Sequence, residues 1–284
     1  MEPKRSKTAI IGVGKWGKNV ARELAVASDL VYYASKESAA DIGAQRATIE
    51  EICADPAIEG VAIATPISTH AAIARQVLKA GKHVLCEKPV AETSAEAHDL
   101  AQLARDQKRT LMTGYVFLYH PVYQQLKEIA RTSTVKRVEC VWKKYGTFTE
   151  PIELNLLTHH IAFACDLFGV AEAGSITKRE AGESACDRIE MHLTYRLSEF
   201  FSHIDRLSEE KSHTMTITLE NGATLTWNDT MLEREGAVLF ESAESSLTRE
   251  IRAFLDAIEG KSVPQTMGDF GAQVLEIHEL LRNS

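Results

Sequence analysis

Over the first 114 residues, short apolar runs alternate with segments whose apolar residues recur at helical spacing. The runs at 8–13, 30–34, 60–64, 83–86 and 110–113 are aliphatic, brief and bounded by polar residues or glycine, the pattern of strands covered on both faces. Helices are expected between them near 16–27, 38–44, 49–54, 71–80 and 95–106. This rhythm predicts a parallel sheet joined by crossover helices. Thr48 with Glu51, and Thr93 with Glu96, have the capping-box spacing that satisfies free amide donors at a helix start. Gly81 follows Ala80 where a helix ends in a left-handed turn.

After Thr113 the period changes. Helical patterns at 121–130 and 156–168 flank a strand near 136–142, and alternating segments suited to a half-solvated antiparallel sheet follow. Ile189, Met191, Leu193, Tyr195 and Leu197 share one strand face, as do Met215, Ile217 and Leu219. Asn221-Gly222 signals a hairpin, after which Leu225 and Trp227 resume the pattern. Helices near 246–259, stopped at Gly260, and 270–282 close the sequence. The expected fold class is α/β: an N-terminal Rossmann-type domain over 1–118 and a C-terminal α+β domain over 119–284 built on an open antiparallel sheet.

Composition narrows the function classes. The 284 residues are 44% hydrophobic and 25% charged, which is ordinary for a globular protein and long enough for two cores. A formal net charge of −8 argues against a bulk electrostatic attraction to nucleic acid or an anionic membrane, so neither is expected as a partner. The five cysteines have no CxxC spacing and suit neither a disulfide frame nor a zinc ribbon. No apolar run reaches the length of a spanning helix, and MEPKRSKTAI lacks the apolar stretch of a secretory leader; a cytoplasmic protein is expected.

Candidate chemistry begins at IGVGKWG, where Gly12, Gly14 and Gly17 have G-x-G-x-x-G spacing between an expected strand and helix. Gly12 permits a tight turn, Gly14 allows backbone to approach a pyrophosphate, and Gly17 lets helix and strand pack closely. Lys15 and Trp16 lie within the same loop, and the helix start supplies amide donors to phosphates. A tight turn without a ligand, or a methyltransferase cofactor loop, are the rival readings. At the end of the second strand, Ser35 and Lys36 stand where NAD binding prefers a carboxylate for the ribose 2′-hydroxyl. A hydroxyl beside a cation suits a 2′-phosphate, so NADP is the expected cofactor, with NAD as the alternative.

Thr65-Pro66 ends one buried strand with a sharp turn, and the next strand delivers Glu87, Lys88 and Pro89 to the same edge. With IGVGKWGKN, ATPISTH, AGKHVLCEKPVA, GYVFLYHP, THHIAFACDLFG and EIRAFLDAIEGK, the sequence resembles the glucose-fructose oxidoreductase, inositol dehydrogenase and rhizopine-catabolism family, Gfo/Idh/MocA. The resemblance implies a dinucleotide-binding domain, a sheet domain that forms a homo-oligomer (dimer or tetramer), and hydride chemistry on small-molecule sugars, nucleotide sugars or polyols. It implies Lys88 as the acid/base residue, a cis bond before Pro89, and Thr65, Pro66, His70, Glu87 and Lys88 on the cofactor side.

The same resemblance places Asn155 and His159 at a helix start where the family commonly has an aspartate and a histidine. Spacing of four puts them on one helix face, and asparagine can orient a hydroxyl but cannot act as a base. His159 keeps the titratable role, with His160 beside it. Tyr115, Tyr119 and Lys143 or Lys144 are further candidates for substrate contact, near Phe117, His120, Trp142 and Tyr145. No HExxH or GxSxG occurs, which disfavours a metal site and a serine nucleophile. An NAD(P)-dependent oxidoreductase acting on CH-OH groups is the expected activity. The alternatives are a non-catalytic sensor of a dinucleotide or sugar, and a reductase of a non-sugar substrate on the same fold.

Overall fold

The computed structural model describes residues 5–36, 42–143, 152–182 and 185–282. The helix expected at 38–44 falls largely outside them, as do Lys144 and Tyr145. Contacts divide the chain into one unit of Met1–Val116 with Ser246–Leu275 and a second of Phe117–Ser245 with Glu276–Ser284. The continuous part of the first unit ends two residues before the expected boundary at 118, but 246–275 rejoins it.

In the first unit, β1 (Lys7–Ile11), β2 (Asp29–Ala34), β3 (Gln45–Arg46), β4 (Gly60–Ile63), β5 (His83–Glu87) and β6 (Leu111–Gly114) form a sheet in the order β3-β2-β1-β4-β5-β6. Every pairing in it is parallel, and the order reverses beside β1, the position at which such sheets bind ligands. Helices α1 (Gly17–Ala27), α2 (Ile49–Ala54), α3 (His70–Lys79) and α4 (Ser94–Asp106) connect the strands. The core includes Ile11, Ile63, Val84, Leu78, Leu100 and Leu111, all buried, which explains why the strands read as unbroken aliphatic runs. The expected caps are present: Thr48 and Glu51 bond reciprocally, and the Thr93 hydroxyl accepts from the Glu96 N–H. Gly81 has φ +73 and ends α3 with the Lys82 N–H on the Val77 carbonyl.

The return of 246–275 has a packing reason. Phe254, on α7 (Ser246–Ile258), packs over Gly60, where a Cβ would lie 3.1 Å from its ring. Farther along, the Thr113 N–H donates to the Thr266 carbonyl at 2.7 Å and Met112 bridges Met267, so this segment covers the sheet edge at β6 before α8 (Gly268–Arg282) begins.

The second unit holds β7 (Val135–Lys143), β8 (Ala173–Glu180), β9 (Arg188–Thr194), β10 (Glu199–Asp205), β11 (Ser212–Leu219), β12 (Thr224–Asn228), β13 (Met231–Arg234) and β14 (Ala237–Glu241), in the order β14-β13-β12-β11-β7-β10-β9-β8. The sheet is mixed rather than antiparallel throughout: β7 and β10 run parallel, because α6 (Thr158–Phe168), β8 and β9 intervene and carry the chain back. The expected hairpin joins β11 to β12, with the Leu219 N–H on the Ala223 carbonyl and Gly222 at φ +86. Helix α5 (Pro121–Arg131) buries Val122, Tyr123, Leu126 and Ala130, while α6 is buried from Thr158 through Cys165 and lies inside the core.

One ion pair lies within that helical layer. Asp166 accepts from the Lys127 ammonium and from the Tyr123 hydroxyl, each at 2.6 Å. The charged groups are nearly excluded from solvent, at 6% and 9% side-chain exposure, so removing one takes a close counter-charge from a buried partner. Replacing Asp166 by alanine is expected to lower unfolding free energy by about 3–5 kcal/mol, read as a fall in the urea midpoint; an unchanged midpoint would show that the pair contributes no net stability.

Candidate functional site

The loop between β1 and α1 lies at the C-terminal edge of the parallel sheet. Gly12 has φ +92, and a Cβ on it would come 2.5 Å from the Ala64 carbonyl oxygen. Gly17 is closed off in the same way by the Gly12 carbonyl. Gly14 has no heavy atom within 4 Å of an ideal Cβ. Packing therefore demands two of the glycines, and the third leaves room for a ligand. The start of α1 has no side-chain cap and no acidic residue in its first turn, so its positive dipole end suits a phosphate. Lys15 and Trp16 are exposed on this loop. These features fit the pyrophosphate of a dinucleotide.

The other candidate cofactor residues adjoin this cradle. The Gly12 N–H donates to the Ala34 carbonyl at 2.8 Å, which fixes the loop against the end of β2, directly before half-buried Ser35 and exposed Lys36. Thr65 and Pro66 follow β4, and Glu87 and Lys88 end β5, its parallel neighbour. His70 joins the two turns: its Nδ1 lies 2.8 Å from the Pro89 carbonyl oxygen and its Nε2 lies 2.7 Å from that of Thr65. Burial pushes the His70 pKa down against the opposing pull of those carbonyls. The Lys88–Pro89 bond is cis, as the resemblance implies.

Glu87 has a less expected environment. Its Oε1 accepts from the Trp16 indole N–H at 2.5 Å, linking the EKP turn to the glycine loop. Burial pushes its pKa up, opposed by that indole and by the Lys88 charge. Glu250, on α7, is fully buried with no hydrogen-bond partner for either carboxyl oxygen, and burial followed by the Glu87 charge drives its pKa well above the carboxylate range. Two carboxyl groups thus interact, and burial favours the protonated form of Glu250. Sequence reasoning passed over Glu250; its signal was an acid on the face of α7 that also carries Ile251 and Phe254.

In the second unit, Asn155 is half-buried on a π-helical turn, Glu153–Leu157, that leads into α6. His159 is buried, its ring edge-on to Phe117 at 4.9 Å and 5.8 Å from Trp142. His213 stacks on Trp142 at 4.3 Å and was also passed over, although it shares the face of β11 with Met215, Ile217 and Leu219. His160 differs from the expectation that it touches substrate. It is fully buried, its Nδ1 is 2.6 Å from the Ser202 hydroxyl, and burial drives its pKa well below the ordinary value, so it serves as a neutral packing group. Tyr115 is likewise buried, edge-on to Phe270, and Tyr119 is buried, so these two rings offer little surface to a ligand. Lys143 pairs with Glu210 at 3.0 Å on the surface.

The profile of an oxidoreductase family with an NAD-binding Rossmann fold, Gfo/Idh/MocA, matches residues 6–115. UDP-N-acetylglucosamine 3-dehydrogenase of Acidithiobacillus ferrooxidans is 34% identical over 129 residues, 43% of this chain and 41% of that protein. The matched stretch thus spans less than half the length of this relative. The solved structure of the enzyme of that name from the same organism has a TM-score of 0.84 at 22% identity, covering 98% of this chain and 96% of the other. Biliverdin reductase from Synechocystis, solved with biliverdin and NADP+, has a TM-score of 0.80 at 20% identity, covering 98% of both chains. At these identities the structural matches establish a shared fold.

The Glu250 environment generates a pH prediction. Above about pH 4.3 the unfolded chain ionises this group while the folded chain retains its proton, so stability falls as pH rises toward the folded pKa, by about 1.4 kcal/mol per unit inside that window. Glu250→Gln removes this slope and is expected to gain stability relative to wild type as pH rises above about 4.3, read from urea midpoints. Parallel profiles for the two proteins would show that the folded carboxyl is ionised.

Proposed function

Since this chain belongs through residues 6–115 to the Gfo/Idh/MocA oxidoreductase family, we propose that it is an NAD(P)-dependent enzyme that interconverts a carbinol and a carbonyl on a sugar, nucleotide sugar or polyol. The observation that carries the reading is the meeting of the glycine cradle and the EKP turn at one sheet edge, through the Trp16–Glu87 and His70 contacts. Bound nicotinamide supplies hydride acceptor or donor chemistry there. Gly12, Gly14, Gly17 and the start of α1 hold the pyrophosphate, and Ser35 with Lys36 receives a ribose 2′-phosphate, which favours NADP(H) over NAD(H).

Lys88 moves the proton of the reacting hydroxyl. A free lysine near pKa 10.4 is neutral in only about 0.04% of copies at pH 7, so a lysine base requires a lowered pKa, whereas a lysine acid in the reducing direction donates as the ammonium. His159 and Asn155 hold the substrate, His159 as a hydrogen-bonding and titratable ring and Asn155 as a neutral donor and acceptor that sets orientation. The asparagine leaves the titratable role at this helix start to His159. The reading extends to a cytoplasmic homo-oligomer formed through the second sheet, whose face opposite Val138 and Cys140 presents half-buried Val141 and Phe201. Among the described residues no helix is long and apolar enough to cross a membrane.

Turnover of NADPH or NADP+ with panels of polyols, sugars and sugar nucleotides tests the activity; cofactor binding without turnover on any of them would instead identify a sensor. Lys88→Ala is expected to lower kcat by about 10²- to 10⁴-fold while cofactor affinity, measured by calorimetry, changes little. Equal losses in turnover and affinity would make Lys88 a cofactor-binding residue. Lys36→Ala is expected to weaken NADPH by about tenfold and leave NADH nearly unchanged; an unaltered NADPH/NADH ratio would remove Lys36 from the phosphate site.

A further inference from the structure

Arg46, the last residue of β3, lies opposite Tyr33 of β2, and the following Ala47 N–H donates to the Tyr33 carbonyl at 2.9 Å. The register places the arginine beside the C-terminal end of β2. Its guanidinium turns onto that end, where Nη2 donates to the Ser35 carbonyl at 2.9 Å and to the Lys36 carbonyl at 3.3 Å. Those are the two residues at the position that reads the adenosine ribose. The end of β2 is also bonded to the cradle, through the Gly12 N–H on the Ala34 carbonyl at 2.8 Å.

The guanidinium has donors to spare. Five N–H groups are available, and the bonds to Ser35 and Lys36 occupy one nitrogen. Among the described residues no carboxylate forms an ion pair with Arg46 or Lys36, and two cations lie at one strand end. An arginine with no further role would extend into water; this one is exposed yet drawn over the backbone that carries Ser35 and Lys36. A planar donor fork beside a lysine and a hydroxyl is the chemistry that recognises a phosphate monoester.

We propose that Arg46 is a specificity-determining residue that contacts the ribose 2′-phosphate of NADP(H) and, through its bonds to the Ser35 and Lys36 carbonyls, holds the loop that supplies the other ligands. This rests on the NADP(H) reading above. Its part in discriminating NADP(H) from NAD(H) is separate from that of Lys36, since it comes from a different strand and also fixes the shape of the loop.

Calorimetric titration with 2′,5′-ADP and 5′-AMP, which differ only in the 2′-phosphate, tests it on wild type, Arg46→Ala and Arg46→Lys. Wild type is expected to bind 2′,5′-ADP at least tenfold more tightly than 5′-AMP. In Arg46→Ala the affinity for 2′,5′-ADP should fall by about 10- to 100-fold with 5′-AMP within about twofold of wild type, and Arg46→Lys should recover part of the loss. An equal loss for both ligands would make Arg46 a loop anchor without phosphate contact, and unchanged affinity for both would remove it from the site; either result overturns the proposal. A wild type indifferent to the 2′-phosphate would instead defeat the NADP(H) reading itself, and this inference with it.

Discussion

The His70 imidazole sets the geometry of the sheet edge on which the chemistry depends. Each ring nitrogen lies within 2.8 Å of a carbonyl oxygen, one from the Thr65-Pro66 turn after β4 and one from Pro89 after β5. Adjacent parallel strands share hydrogen bonds along their length, but those ladders stop where the strands end, and the turns beyond them have no mutual register. A ring seated between both turns supplies that register, donating to one carbonyl when neutral and to both only when protonated. It constrains the backbone next to Lys88, the residue proposed to pass a proton, a role that demands precise placement. A residue that reads from sequence as one histidine among ten therefore acts as a strut between two loops.

The charge distribution behind the edge follows from burial. Glu87 lies next to Lys88 in the chain and next to Glu250 in space, and the two carboxyl groups cannot both ionise cheaply in a dry environment. Burial favours the protonated form of Glu250, the more deeply buried of the two, and Glu87 keeps its bond from the Trp16 indole. Protonation of Glu250 reduces the negative charge that the pair carries near a loop whose features fit the phosphates of a dinucleotide. Full ionisation of both groups would set two like charges against that ligand. The proton on Glu250 thus serves the anion site above it as well as the core around it.

The sequence reveals those parts of the architecture that rest on local pattern. Strands β1, β2, β4, β5 and β6 stand out because burial on both faces forbids polar residues within them, and the glycine loop stands out because packing at Gly12 and Gly17 admits no side chain. Edge strands obey no such constraint. β8 and β14 are half or fully exposed along most of their length and show no alternation, while in β10 the inward set of Phe200, Ser202 and Ile204 includes a hydroxyl that pairs with His160. The return of 246–275 to the first unit is equally invisible locally, because what draws it there is the uncovered edge at β6 and the space over Gly60, both distant in sequence. The glycine loop and the EKP turn are legible from spacing and resemblance, whereas the environments of Glu250, Arg46 and His213 are not, since each takes its meaning from a neighbour on another element.

His159 and His160 show how two adjacent residues of the same type divide into different roles. On a helix, neighbours in sequence point about 100° apart, so only one of them can share the face of Asn155, four residues before His159. The other turns toward the sheet, where the Ser202 hydroxyl and the His213 ring enclose it. Burial then removes His160 from the titrating groups near neutral pH by penalising its charged form. His159 stands instead against the edge of Phe117, close to Trp142, at the start of α6 beyond the half-buried turn that carries Asn155. A packed aromatic ring on one side restricts the imidazole to few orientations, and a group restricted in that way loses little further entropy on forming a hydrogen bond.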